Sequence, residues 1–212
     1  LLAQWKKQPE KVLTMAEALQ MGLAGEFSDG PMLDRLEMDE SLEEWTDSII
    51  QKKFEELPVP EAMHGTLRPY QIRGFSWLAF LSQFGLGGCL ADDMGLGKTI
   101  QAIAFLAHLR KQEPDKPFLL VCPTSLLGNW QRELQKFWPE AAAYIYHGTT
   151  RKVEEFQKAV ERGSIILTTY SLLSRDEELI CSIPWGAAVL DEAQNIKNPM
   201  TRQAQTARNI KA

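Results

Sequence analysis

Two short segments hold residue types that could act together on a chain of phosphates. The first is DDMGLGKT, from Asp92 to Thr99. A glycine-rich turn lets main-chain N–H groups curl around phosphate oxygens, a lysine directly after it supplies a cation, and the next hydroxyl suits a magnesium ion. Gly95, Gly97, Lys98 and Thr99 stand at those places, with Asp93, Met94 and Leu96 completing the cradle. The strict form of this pattern has glycine five positions before Gly97, where this chain has Asp92. The second segment is AAVLDEAQ, from Ala187 to Gln194, in which four apolar residues run into Asp191 and Glu192. A carboxylate at the end of a strand can hold magnesium through its water shell, and a neighbouring carboxylate can orient or deprotonate an attacking water. Two acids ending a strand also occur at solvent edges by accident. Their pairing with the turn in one domain gives them the catalytic reading.

The turn must sit between a strand and a helix, because a helix N-terminus adds free N–H groups and a positive dipole end where an anion would bind. The surrounding pattern predicts that arrangement. Pro69 suits the first turn of a helix carrying Tyr70, Ile72, Phe75, Trp77, Leu78 and Leu81 and stopping near Gly85. Short apolar runs then alternate with amphipathic stretches. GGCLA (87–91) is predicted to be the strand leading into the turn, followed by a helix from Lys98 to about Gln112 and the strand FLLVCP. A helix from about Leu126 to Phe137, the strand AYIYHG, a helix from Lys152 to Val160, and the strands SIILTTY and AAVLD complete the series. This rhythm indicates right-handed crossovers and a parallel sheet covered on both faces, a three-layer α/β domain.

Composition bounds the remaining possibilities. The chain has 212 residues, 44% hydrophobic and 24% charged, which suits a soluble globular protein. No apolar run reaches the roughly 18 residues that span a bilayer, and the N-terminus lacks signal-peptide order, so no membrane partner is expected and the cytoplasm is the expected location. Cys89, Cys122 and Cys181 form no close pair and read as core residues rather than zinc ligands or a disulfide framework. The net charge of -5 argues against binding nucleic acid by bulk charge alone. That charge is uneven. Residues 1–62 hold 6 Lys and Arg against 14 Asp and Glu, whereas residues 63–212 hold 17 against 14. The first region reads as an acidic helical accessory segment, with capping-box spacing at Thr14/Glu17 and Ser41/Glu44 and apolar residues Leu42, Trp45 and Ile49 at helical spacing.

With both phosphate-site segments placed, the chain resembles the Snf-type family of helicase superfamily two, the Swi/Snf-like DNA translocases, and its bacterial members especially. The resemblance rests on LRPYQIRGFSWL at Leu67, LADDMGLGKTIQ at Leu90, LLVCPTSLLGNWQRE at Leu119, ILTTYSLL at Ile166 and LDEAQNIKNP at Leu190, in the family's order. It implies that residues 63–212 are the first RecA-like, P-loop ATP-binding lobe. It also implies that Gln71 reads adenine through its amide, that Lys98 and Thr99 serve the phosphates and Mg2+, and that Asp191 serves the metal and Glu192 the attacking water. Gln194 would couple the γ phosphate to neighbouring motifs. Many members carry histidine at the Gln194 position and glutamate at the Asp93 position. Pro123, Thr124 and Ser125, and Thr168, Thr169 and Tyr170, look like the family's DNA-facing motifs, in which hydroxyls and backbone N–H groups would hold phosphates of the double helix without reading sequence. The same hydroxyls could serve as ordinary helix caps, and Trp130, at helical spacing with Leu134 and Phe137, could simply be core.

A complete motor of the family sandwiches ATP between two RecA-like lobes, the second carrying arginine fingers. The resemblance therefore implies a second lobe of the parent chain as partner, double-stranded DNA as substrate track, and a DNA-bound protein or RNA polymerase as target. The chain is expected to be an excerpt, and a strand missing from it is expected to lie between the strand entering the turn and the Asp191 strand. Two other readings stand beside ATP-driven translocation: a strand-separating RNA or DNA helicase, and a passive nucleotide-binding interaction module.

Overall fold

The computed structural model describes residues 54–212. The predicted helices of the acidic region before Phe54 lie outside the described residues. The described chain packs as two units. One comprises residues 54–56 and 76–89, where Phe80 stacks on Phe54 at 5.9 Å between ring centroids and meets Phe84 edge-on at 5.3 Å. The other comprises residues 57–75 and 90–212 and contains the sheet.

The four longest described helices and the four described strands follow the apolar periodicity. Helix α1 covers Pro69–Ser82 and α2 covers Lys98–Gln112. Strand β1 is Phe118–Cys122; a 3₁₀ turn, Thr124–Leu126, leads into α3, Leu127–Phe137. Strand β2 is Ala143–Ile145, α4 is Val153–Glu161 and β3 is Ile165–Thr169. Two short helices, α5 (Tyr170–Arg175) and α6 (Glu177–Cys181), precede β4, Ala187–Leu190. A 3₁₀ turn at Ala193–Ile196 and helix α7, Arg202–Arg208, complete the chain.

The four strands are all parallel and lie in the order β2-β3-β1-β4. Every residue of β1 and β3 is buried, so these strands read as unbroken apolar runs, as central parallel strands do. Alternation divides their side chains between two cores. Phe118, Leu120, Cys122, Ile165 and Leu167 pack with Ile100, Ile103, Leu106 and Leu109 of α2 and with Leu127, Trp130 and Leu134 of α3. Leu119, Val121 and Ile166 face Phe156 and Ala159 of α4, Tyr170 and Leu173 of α5, and Ile180. Helices on both faces make the expected three layers. Each fully buried aliphatic side chain here contributes about 1.5–3 kcal/mol through loss of apolar surface from water.

One predicted strand is corrected. Residues 87–91 are not a strand in the structure. A strand's N–H and C=O groups are satisfied only beside another strand. β4 pairs with β1 along one side, and no described strand lies along its other side. The run also opens with Gly87 and Gly88, which lose the most backbone entropy on ordering and offer no side chain to pack.

Candidate functional site

The direction of α2 locates the phosphate turn. At the helix's last turn, Arg110 donates through Nη1 to the carbonyls of Pro114 (2.7 Å) and Lys116 (2.8 Å) and through Nη2 to that of Gly163 (2.6 Å). Its guanidinium also lies 4.3 Å from the centroid of the Phe118 ring. Lys116 and Phe118 stand at the amino end of β1 and Gly163 just before β3, so the C-terminus of α2 is fixed at the amino edge of the sheet. The helix then packs along the sheet through Leu109, Leu106, Ile103 and Ile100. At 1.5 Å per residue it carries Lys98 about 18 Å from Arg110, to the carboxyl edge. Asp191 directly follows β4 at that same edge, as do Pro123 after β1 and Tyr170 after β3. In open parallel sheets this is the edge where ligands bind.

The turn itself is built around left-handed backbone. Gly95 has φ 85° and Gly97 φ 77°. Gly97 is also the N-cap of α2, and a Cβ there would lie 2.5 Å from Nε2 of Gln71. Any side chain at this position would therefore meet both a strained torsion and a neighbouring amide. Lys98 Nζ folds back on the loop, donating to the carbonyls of Asp92 (2.6 Å) and Asp93 (3.1 Å). Among the described residues it forms no ion pair, so its charge is balanced only by carbonyl dipoles. Asp92, the departure from the glycine pattern, uses its side chain: Oδ2 accepts from Nε2 of Gln101 at 3.2 Å. Gln101 is buried, and Gly74 of α1 makes room for it, since a Cβ at residue 74 would fall 1.8 Å from Oε1. Met94 and Leu96 are exposed on the turn, and Thr99 is half-buried at the start of α2.

Gln71 is buried against this loop, which its sequence setting at a helix start does not reveal. Its Oε1 accepts the backbone N–H of Arg68 at 2.9 Å, and its Nε2 donates to the carbonyl of Leu96 at 3.1 Å. The hydroxyl of Tyr70 donates to the same carbonyl at 3.2 Å. The amide expected to read adenine is thus engaged by its own chain at both ends.

At the other half of the site, Asp191 is held on several sides. Oδ2 accepts the indole Nε1–H of Trp130 at 2.7 Å, and Oδ1 accepts the backbone N–H of Glu192 at 2.9 Å. The Tyr170 hydroxyl donates to the Asp191 carbonyl at 2.7 Å. Burial, with the Asp191 charge second, raises the Cys122 thiol to about 12 and moves the Tyr170 hydroxyl above its ordinary value, so both stay neutral beside the acid. Glu192 is the one non-glycine residue with positive φ among the described residues, at 53°. The Gln194 amide donates to Glu192 Oε2. Asn195 donates to the Glu192 carbonyl through both its backbone N–H (3.0 Å) and its side-chain amide (2.7 Å).

The hydroxyl residues proposed to meet nucleic acid separate into two pairs. Thr124 and Ser125 are exposed on the 3₁₀ turn after β1. Thr168 is fully buried, with Oγ1 donating to the Tyr146 carbonyl at 3.1 Å, and Thr169 caps α5 by accepting from the Leu172 N–H at 3.4 Å. For that second pair the capping and packing roles account for the hydroxyls, because β3 is a central strand whose residues are all covered. As the side chains stand, Thr168 and Thr169 present no hydroxyl to an outside ligand.

The residues fit a magnesium nucleotide chemically. The turn offers N–H groups and a lysine without a carboxylate partner, and Asp191 is a carboxylate without a cationic one among the described residues. Among those residues there is no cluster of three or more His, Cys, Asp or Glu that would hold a metal by itself, and no helix is long and apolar enough to cross a membrane.

Residues 70–212 match the family described as SNF2-related domain. Over 171 residues the chain is 47% identical to a putative ATP-dependent helicase/translocase, YwqA, of Bacillus subtilis, covering 77% of this chain and 18% of that protein. It is 40% identical over 163 residues to the TATA-binding protein-associated factor mot1 of Aspergillus fumigatus, covering 71% of this chain and 9% of the relative. Among solved structures, the SWI2/SNF2 ATPase core of Sulfolobus solfataricus in complex with dsDNA superposes with a TM-score of 0.67 at 43% identity. That likeness covers 74% of this chain and 32% of the other. The chain thus spans less than a fifth of the length of either curated relative.

Proposed function

The chain belongs to the SNF2-related domain family, and we propose on that basis that it is the ATP-binding lobe of an ATP-driven motor that moves along double-stranded DNA and remodels proteins bound there. The carrying observation is that the Gly95–Thr99 turn and the Asp191–Glu192 pair stand at one edge of one sheet, the turn brought there by the run of α2 and the acids by the end of β4. In this reading the N–H groups of the turn and the ammonium of Lys98 bind the phosphates, and Thr99 and Asp191 hold the Mg2+. Bound there, the ion would neutralise charge on the phosphate oxygens. The Glu192 carboxylate orients the attacking water and takes its proton at an Oε oxygen. To reach adenine, the Gln71 amide gives up one of its contacts to Arg68 or Leu96.

The relative whose ATPase core was solved with dsDNA supports the DNA part of the proposal. Thr124 and Ser125 are exposed hydroxyls at this edge that suit a phosphodiester, and contacts of that kind carry no base information. A second RecA-like lobe would close over the nucleotide and supply arginine. Such a residue is worth a factor of about 1,000 to 100,000 in turnover, so this lobe alone is expected to hydrolyse ATP very slowly.

The test is steady-state ATP hydrolysis by the full-length protein at low salt, with and without duplex DNA. Stimulation by duplex that fades with rising salt is expected, since backbone binding loses about 0.9 log units per log unit of salt for each phosphate neutralised. No stimulation would count against the motor. Unwinding of a tailed duplex would favour a strand-separating helicase instead. Lys98→Ala is expected to abolish ATP binding; unchanged binding and activity would favour the passive module.

A further inference from the structure

Trp130 lies 61 residues from Asp191 in the chain, is only 2% exposed, and aims its indole N–H at Oδ2 of the acid from 2.7 Å. A buried indole needs a partner for its N–H, but any carbonyl would satisfy it. Here the partner is a carboxylate, which makes the bond charge-assisted and stronger than a neutral one. The ring cannot swing away, because it is packed in the core with Leu127 and Leu134 of its own helix. Each carboxylate oxygen has about two lone-pair sites. With the Glu192 N–H on Oδ1 and the indole on Oδ2, rotation of the carboxylate is stopped and one site on each oxygen stays free.

We infer that Trp130 is a positioning residue for Asp191: its indole N–H fixes the carboxylate in the orientation that receives the magnesium of the bound nucleotide. The inference rests on the proposed function, in which Asp191 serves that metal. It also gives α3 two tasks, since the helix that opens just after Thr124 and Ser125 grips the acid from its fourth residue.

The experiment uses the full-length protein and a fluorescent ATP analogue. Affinity is measured in EDTA and across a Mg2+ titration for wild type, Trp130→Phe, Asp191→Asn and the double variant. Groups that orient metal ligands typically contribute 10–100-fold to metal affinity. Trp130→Phe is therefore expected to leave affinity in EDTA within about twofold and to raise the Mg2+ midpoint about tenfold, with less than a twofold further effect in the Asp191→Asn background. An unchanged midpoint in Trp130→Phe overturns the inference. So does an undiminished tenfold shift in the double variant, which would mean that the ring acts through packing. If Asp191→Asn itself leaves the midpoint unmoved, the proposed role of the acid fails and takes the inference with it. An effective Asp191→Asn beside a silent Trp130→Phe sinks the positioning role alone. Should Trp130→Phe fail to fold, benzothienylalanine at residue 130 keeps the bicyclic shape without the N–H and carries the same expected and opposing results.

Discussion

Replacing Arg110 by methionine tests the fork that fixes the far end of α2. The substitution keeps most of the apolar stem and removes three hydrogen bonds, to the carbonyls of Pro114, Lys116 and Gly163, together with the guanidinium over Phe118. Burial lowers the pKa of this guanidinium, partly offset by Asp115, yet it remains charged at any ordinary pH. The two exposed bonds compete with water and contribute about 0.5–1 kcal/mol each; the half-buried bond to Gly163 contributes about 1.5 kcal/mol. The ring contact adds about 0.5–1 kcal/mol at an accessible site. In the other direction, the freed side chain regains part of roughly 2 kcal/mol of rotamer entropy. The net loss is about 2 kcal/mol, which at about 2–4 °C per kcal/mol lowers the melting midpoint by about 4–8 °C. The assay is thermal unfolding of the full-length protein followed in the transition that includes this lobe, with amide exchange across α2 and β1 to locate the loss. Lysine at residue 110, a point charge that cannot fork across three carbonyls, is expected to recover no more than about a third. A midpoint within 1 °C of wild type for Arg110→Met, or full recovery with lysine, would refute the reasoning.

Glu192→Gly removes a left-handed torsion that costs a non-glycine residue roughly 1–2 kcal/mol while adding about 0.5–1 kcal/mol of glycine entropy. Stability in a denaturant titration is therefore expected to hold or rise by up to about 1 kcal/mol as ATP hydrolysis disappears; a clear loss of stability would contradict the strain. The raised Cys122 and Tyr170 values give a pH dependence with a definite sign. Each group keeps its proton in the fold after the unfolded chain has lost it, so stability is whole below the unfolded values of 9.0 and 10.0 and falls as pH climbs past them. Melting curves from pH 8 upward should show this decline. Tyr170→Phe should flatten the part above pH 10 and cost about 1 kcal/mol at neutral pH through the bond lost to Asp191. An unaltered slope would place the decline elsewhere. Gly74→Ala pushes a methyl into the Gln101 amide and should release its bond to Asp92, loosening the phosphate turn; nucleotide affinity is expected to fall severalfold, and an unchanged value would show that the turn holds its shape without Gln101.

The layers were legible because long amphipathic helices and fully apolar strands each leave one period in the sequence. The phosphate turn was legible for a related reason: a left-handed, close-packed position such as Gly97 restricts the residue type directly. Short elements were not. Helices α5, α6 and α7 have only 6, 5 and 7 residues, too few for a face to repeat. The run at 87–91 has the composition of a buried strand, but a strand depends on its neighbour, and composition does not supply one. Within β3 every residue is apolar or covered, so nothing in the alternation marked Thr168 as facing inward. The grip of Trp130 on Asp191 joins two motifs through a fold that must first bring β1 beside β4, and spacing along the chain carries no trace of it.

The order of the strands also sets a schedule for the growing polypeptide. β2 emerges from the ribosome before β3, yet among the described residues the strand it pairs with is β3, which must slot in between β2 and β1. Until about residue 169 has been synthesised, neither β1 nor β2 has β3 to pair with, and the most buried pairing of the lobe, Phe118–Cys122 with Ile165–Thr169, waits for it. Such long closures make for slow nucleation and a prolonged interval in which FLLVC is open to chaperones or to other nascent chains.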